Sequence, residues 1–263
     1  MSETHRVPAL DRMVELLEQL ERGGDGLTIN ELVTGCGIPR STVYRILNTL
    51  ASHGLVSRTA GDGRYRLGAR FLAFAAKVPN AAAWRDLADL ARPYMQRLGA
   101  ESRETIKLSV LDGDDVLCIA VVPGSSRYTV AAAVGTRYPL HAGAAGKIIL
   151  TALAPAAREA LLAAPLAPYT PKSIIDPRLL RQELQRIERH GWSEDAGEFS
   201  LSVHALAAPV TDAEGRIIAA LSVCYLADRD MADLARLRAR LLRAAADMSA
   251  QGVAAAPPKR AAG

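Results

Sequence analysis

Apolar positions over the first 70 residues recur first with the period of helices and then with that of two short strands. Leu10, Met13, Val14, Leu17 and Leu20 mark the inner face of a helix over 9–20. Thr28-Ile29-Asn30-Glu31 is a capping box that opens a second, shorter helix through Leu32 and Val33. Gly35-Cys36-Gly37-Ile38-Pro39 then breaks the chain. In the third helix, over 41–50, Val43, Ile46, Leu47 and Leu50 fall on one stripe, while Arg40, Ser41, Tyr44, Arg45 and Asn48 share the opposite face. After Gly54, 55–58 and 64–67 read as two strands joined by Gly61-Asp62-Gly63. Helix, tight turn, helix and basic hairpin is the order of a winged helix-turn-helix.

Beyond the hairpin, Phe71, Leu72, Phe74 and Ala75 begin an alanine-rich helical stretch that breaks at Val78-Pro79-Asn80. A helix over 84–98 follows, then strands over 105–111, 116–122 and 128–134, with Asp112-Gly113-Asp114-Asp115 turning between the first two. Helices are expected over 143–153 and 155–163, and from Asp176-Pro177 to His190, where Gly191 ends the helix. Strands over 192–195, 204–210 and 217–225 precede a last helix over 231–249. The fold class is α+β with a largely antiparallel sheet. The domains read as 7–68 for the winged helix, 69–83 for a linker helix, 84–250 for a larger second domain and 251–263 for a disordered tail.

Charge sharpens the reading of the first domain. From Cys36 to Arg70 there are six arginines against the single acid Asp62, whereas residues 1–35 hold three arginines against seven acids. The positive charge thus gathers on the two elements that would face a duplex. A net charge of +4 over 263 residues is too small for a general coating of nucleic acid, so placement must do the work. Cys36, Cys118 and Cys224 are odd in number and widely spaced, which points to a reducing cytoplasm and not to a disulfide framework. No apolar run approaches the roughly 18 residues of a membrane span, so no membrane partner is expected.

The second domain offers weaker chemistry. Along 217–225, Ile217, Ala219, Leu221, Val223 and Tyr225 share one face and Ile218, Ala220, Ser222 and Cys224 the other, which either lines a pocket or packs beneath a helix. Leu140-His141-Ala142-Gly143-Ala144-Ala145-Gly146-Lys147 lacks the spacing of a phosphate loop. It still makes a glycine- and alanine-lined helix start whose N–H groups suit a small anion, in the first place a carboxylate, with Lys147 making a surface or interdomain contact. Asp195 and Glu198 near His204 leave open a small-molecule enzyme with a helical accessory domain, Asp195 and His204 being its acid and base. No nucleophile elbow, metal spacing or cofactor fingerprint accompanies them, so no catalytic residue, metal or cofactor is assigned. A DNA-associated protein whose second domain only dimerises is the remaining alternative.

Taken together, the chain resembles the IclR-type transcriptional regulators from about Val7 to Ser249. The resemblance rests on 28–32, 37–47 and 64–68, then on Gly135-Thr136-Arg137-Tyr138-Pro139-Leu140-His141-Ala142, Gly146-Lys147, Ala207-Ala208-Pro209-Val210 and Ala220-Leu221-Ser222-Val223. It implies a winged helix, a linker helix and a GAF-like effector domain, assembled as a homodimer or a dimer of dimers on double-stranded operator DNA. It implies control of a catabolic operon by a small organic or aromatic carboxylic acid. By position the family's pocket falls on Ala144, Ala145, Asp195, Ala205, Ser222 and Cys224, to which His141 and Arg127, as a carboxylate clamp, are added. Two departures stand out: Ala205 where many members carry cysteine, and Cys224 where many carry a second serine. The expected DNA contacts are Thr28, Arg40, Ser41, Thr42, Tyr44, Arg45 and Asn48, with wing arginines Arg58, Arg64 and Arg66 on phosphates or the minor groove.

Overall fold

Pro8 starts the first helix, α1 (Pro8–Arg22), where its missing N–H costs nothing. The structure, a computed structural model, describes residues 7–59, 61–227 and 230–251, so the expected disordered tail lies, after Gln251, outside the described residues. In α1 the buried residues are Leu16 and Leu20, with Met13 and Leu17 at their flanks. Leu10 and Val14, expected on the inner face, are exposed, because only the C-terminal half of α1 is covered. The stripe therefore runs through 13, 16, 17 and 20, keeping Met13, Leu17 and Leu20 of the expected face and adding Leu16.

Thr28 caps α2 (Ile29–Cys36): its hydroxyl accepts from the Glu31 N–H while the Glu31 carboxylate receives the Thr28 N–H at 2.7 Å. In α3 (Arg40–Ser52), Val43, Leu47 and Leu50 are buried and Ile46 is partly covered, as the heptad spacing requires. Strands β1 (Val56–Arg58) and β2 (Tyr65–Leu67) pair antiparallel from Val56↔Leu67 to Arg58↔Tyr65. Leu27 forms an isolated antiparallel bridge on the other side of β2, exchanging backbone bonds with Tyr65 at 3.0 and 2.8 Å, which ties the hairpin to the loop before α2. After the short α4 (Arg70–Ala75), Asn80 takes a left-handed φ of 62° at the anticipated break, and α5 (Ala81–Ser102) begins. The chain divides into two compact units between Ala81 and Ala82.

The second unit is built on β3 (Thr105–Asp112), β4 (Asp115–Val122), β5 (Arg137–Pro139), β6 (Ser193–Ser200), β7 (Val203–Thr211) and β8 (Ile217–Leu226). They form a sheet in the order β5-β4-β3-β8-β7-β6, with every neighbouring pair antiparallel. The strand expected over 128–134 is absent; that segment is irregular, and the edge beside β4 is taken by β5. Three consecutive alanines give the irregular segment little to pack. Its path is fixed instead by Thr105 Oγ1 donating to Val130 O at 2.7 Å and by Gly135 N–H donating to Cys118 O at 2.8 Å. Strand β6 is twice its expected length, its polar Glu194, Glu198 and Ser200 having masked it.

One sheet face packs on α5 and on α9 (Met231–Ser249), through Met95, Leu98, Leu237 and Leu241. The other packs on α6 (Ala144–Ala152), α7 (Pro155–Ala163) and α8 (Pro177–His190), through Ile148, Leu162, Leu180 and Leu184. Along β8, Ala219, Leu221, Val223 and Tyr225 face α5 and α9, while Ala220 and Cys224 face α6. The alternation slips at the start: Ile217 joins the α6 side and Ile218 the α9 side, the reverse of expectation. The partner of Val210 is Ala219 and that of Thr211 is Ile217, so Ile218 is the extra residue of a bulge.

Candidate functional site

In the first unit, α3 turns Arg40, Ser41, Tyr44, Arg45 and Asn48 outward, with Thr42 half-buried at its start. No side chain caps the helix and its first turn holds no acid, so its leading N–H groups and dipole are free for an anion. Arg40, Ser41 and Tyr44 share a cleft with Arg58 and Tyr65 of the wing, and Arg58 lies 5.6 Å from the Tyr65 ring centre. Arg40 is oriented by a hydrogen bond to Asn30. Two wing arginines reach back into their own unit: Arg64 donates to Gly26 O at 2.7 Å and meets Glu31 at 3.3 Å, and Arg66 donates to Asp25 O at 2.8 Å. The Thr28 hydroxyl is engaged with Glu31 in the capping box.

In the second unit, a cavity of about 160 Å³ lies between the sheet and the start of α6. The six positions expected from the resemblance, Ala144, Ala145, Asp195, Ala205, Ser222 and Cys224, all line it. Two glycines make the helix start possible. Gly143, the N-cap, takes φ 92° and ψ 149°, a conformation that favours glycine, and no side chain caps the helix. A Cβ on Gly146 would stand 2.5 Å from Pro139 O and 2.7 Å from Leu140 O, so only glycine lets α6 approach β5 this closely. Ser193 fixes the same turn by donating to Ala144 O at 2.6 Å.

Sequence reasoning missed Lys107, Tyr138 and Phe199, which also line the cavity. Lys107 projects from β3 with Nζ 4.1 Å from the Tyr138 ring centre. Burial works against its charge, but Cys224, Tyr138 and Cys118 together outweigh it, and its pKa is raised. The signal was a lysine inside an apolar strand, flanked by Ile106 and Leu108. Burial raises the Cys224 thiol, so the cavity meets it as a neutral, weakly donating group.

Arg127 and His141 fall outside the lining. Arg127 is exposed and stacks on Tyr128, and His141 bonds Ala167 O at 2.9 Å and lies beside Tyr169. Lys147 is a correction of another kind, for it is 1% exposed where a surface or interdomain contact was expected. Its Nζ pairs with Glu198, donates to Glu194 O at 2.6 Å and lies 3.7 Å from Glu183. Burial pushes Glu198 up to about 7 against the pull of Lys147. Asp195 stands just before this network, and its Oδ1 accepts the N–H groups of Gly197 and Glu198 at 2.9 and 2.6 Å. His204 does not join it: Ala205 takes the cavity side of β7, and His204 lies edge-on to Tyr225 of the opposite core.

The family pattern described as the C-terminal region of the bacterial transcriptional regulator IclR matches residues 80–250, and the IclR helix-turn-helix pattern matches 9–60. The chain belongs to the IclR family. It is 34% identical to the HTH-type transcriptional regulator Rv1719 of Mycobacterium tuberculosis over 90% of this chain and 89% of that one. It is 28% identical to the regulator XynR of Escherichia coli, over 92% and 96%. Among solved structures, an IclR homologue from Microbacterium hydrocarbonoxydans complexed with 4-hydroxybenzoate aligns at TM-score 0.65 and 28% identity, over 92% of this chain and 98% of that one. IclR proteins are DNA-binding transcriptional regulators with a helix-turn-helix and an effector domain, not enzymes. The acid–base reading of Asp195 and His204 is thereby set aside. No helix among the described residues is long and apolar enough to cross a membrane.

Proposed function

We propose that this IclR regulator senses a small organic or aromatic carboxylic acid in the cavity beside α6 and adjusts its hold on a double-stranded operator of a catabolic operon. The observation that carries the reading is the cavity itself, which joins apolar walls to Lys107, Asp195, Ser222 and an uncapped helix start. Its volume of about 160 Å³ is close to the roughly 150 Å³ that holds a benzene ring in another protein, so it suits one ring or a short chain. The Microbacterium relative, solved with 4-hydroxybenzoate, supports a ligand of that size. On the DNA side, α3 enters the major groove with Arg40, Ser41, Thr42, Tyr44, Arg45 and Asn48. The cleft at its start, with Arg58, seats a phosphate. Arg64 and Arg66 brace the wing and offer their remaining donors to the backbone. Thr28 acts through the cap that holds α2. The protein works in the cytoplasm as a homodimer or a dimer of dimers, so that two α3 helices meet the half-sites of a pseudo-palindrome.

Thermal-shift screening of the full chain with small acids, followed by operator binding with each hit, tests the proposal. A stabilising acid that changes operator affinity roughly 5- to 150-fold is expected. A protein that binds its own upstream DNA identically with every stabilising acid would refute it.

A further inference from the structure

Two groups of opposite charge line the cavity without pairing with each other. Lys107 lies over Tyr138, and among the described residues it forms no ion pair with a carboxylate. Asp195 gives Oδ1 to two backbone N–H groups, while Oδ2 lies on the Gly143 side, 3.8 Å from where a Cβ on that residue would stand. The start of α6, the obvious seat for a ligand carboxylate, therefore already has a carboxylate beside it. A second anion there would gain the helix terminus, worth about half a charge, and would face the Asp195 carboxylate at short range.

A hydroxyl has no such conflict. Its oxygen accepts from the Ala144 and Ala145 N–H groups and its hydrogen is donated to Asp195 Oδ2. We propose that the effector is a hydroxy acid held with its hydroxyl between Asp195 and the start of α6 and its carboxylate on Lys107, which makes Lys107 the residue that sets specificity. The inference rests on the cavity being the effector site and reverses the polarity that the helix start alone implies. Lys107 suits the task because its cation is held in the cavity wall beside the Tyr138 ring and, among the described residues, pairs with no carboxylate. Ser222, on the neighbouring strand directly opposite Lys107, is within reach of the same end of the ligand.

The test is calorimetric titration of the full-length protein with matched sets of acids: 4-hydroxybenzoate, benzoate and terephthalate, and 4-hydroxybutyrate, butyrate and succinate. In at least one set the hydroxy acid should bind roughly tenfold or more tightly than both its deoxy parent and the dicarboxylate. Lys107→Met should weaken the hydroxy acid by roughly 10- to 100-fold, with Lys107→Arg retaining part of the affinity. Asp195→Asn should narrow the gap between hydroxy acid and dicarboxylate, because the repelling charge is gone. Operator binding without acid serves as the check that each variant is folded. Tightest binding of a dicarboxylate, wild-type affinity in Lys107→Met, or no binding by either hydroxy acid would overturn the proposal. An acid that changes operator affinity equally in wild type and Lys107→Met would overturn the placement and leave the sensing function standing. Failure of every acid to change operator affinity would remove both.

Discussion

In the first unit Arg40, Arg45 and Arg58 lie in water on the outer faces of α3 and the wing, whereas in the second Lys147, Asp195 and Glu198 are withdrawn from it. Surface arginines cost the fold little and are screened by salt, so they are free to meet a polyanion. Buried ions carry a desolvation penalty that only close partners offset. The second unit itself holds both solutions. Lys147 is answered by Glu198, Glu183 and a backbone carbonyl, whereas Lys107 has Tyr138 and the cysteines beside it and, among the described residues, no carboxylate. The contrast separates a cation that holds a structure together from one that is open to a ligand.

The comparison breaks most visibly at Lys147. Lys147→Met should destabilise the second unit by about 3–5 kcal/mol, since it strands a buried carboxylate. Adding Glu198→Leu should recover most of that loss. Trp84 and Trp192 both belong to this unit, so the midpoint of tryptophan fluorescence in urea reports it. Equal stability of the single and double variants would show that the pair is not what holds the segment.

A pH titration sharpens the same contrast. Glu198 is raised from 4.5 to about 7, so between those values the folded chain binds a proton that the unfolded chain does not. The contribution of Glu198 to stability is therefore full below about pH 4.5 and is lost as pH rises through about 7, a change of order 3 kcal/mol. The difference between wild type and Glu198→Gln should show this slope. Parallel curves would place the Glu198 pKa near its ordinary value.

Smaller effects belong to the exposed arginines. Arg45→Ala should cost about 1–3 kcal/mol on operators carrying its preferred base pairs and less on others; uniform loss would make it a phosphate contact. Arg58→Ala should flatten the salt dependence of operator binding by about one unit of slope. Arg66→Ala should in addition cost about 1 kcal/mol of local stability through its bond to Asp25 O, seen as faster amide exchange in β2.

The first unit was legible because its chemistry is arranged by helical period. Val43, Leu47 and Leu50 point one way, so Arg45 and Asn48 must point the other. Even there the period alone put Leu10 and Val14 of α1 inside and passed over Leu16, since how much of a helix is covered depends on partners distant in sequence. The helix start at Gly143 and the pocket face of β8 were visible as small residues at fixed offsets, but their meaning needed the sheet. Lys107 escaped notice because strand alternation says only that it faces opposite to Ile106 and Leu108, not what lies there. The fate of Lys147 was equally hidden: Glu183 and Glu198, which neutralise it, come from α8 and β6.

Strand β3 has two masters. Its odd-numbered Lys107 looks into the cavity, and its even-numbered Ile106 and Leu108 bear on the core shared with α5. Successive side chains of the pleat alternate between faces, so both surroundings act on one short stretch of backbone. Ile106 and Leu108 reach the core on which α5 packs, and α5 begins at Ala81, where the first unit ends. A ligand drawn to the Lys107 ammonium would thus act on a strand that also bears on the core behind it.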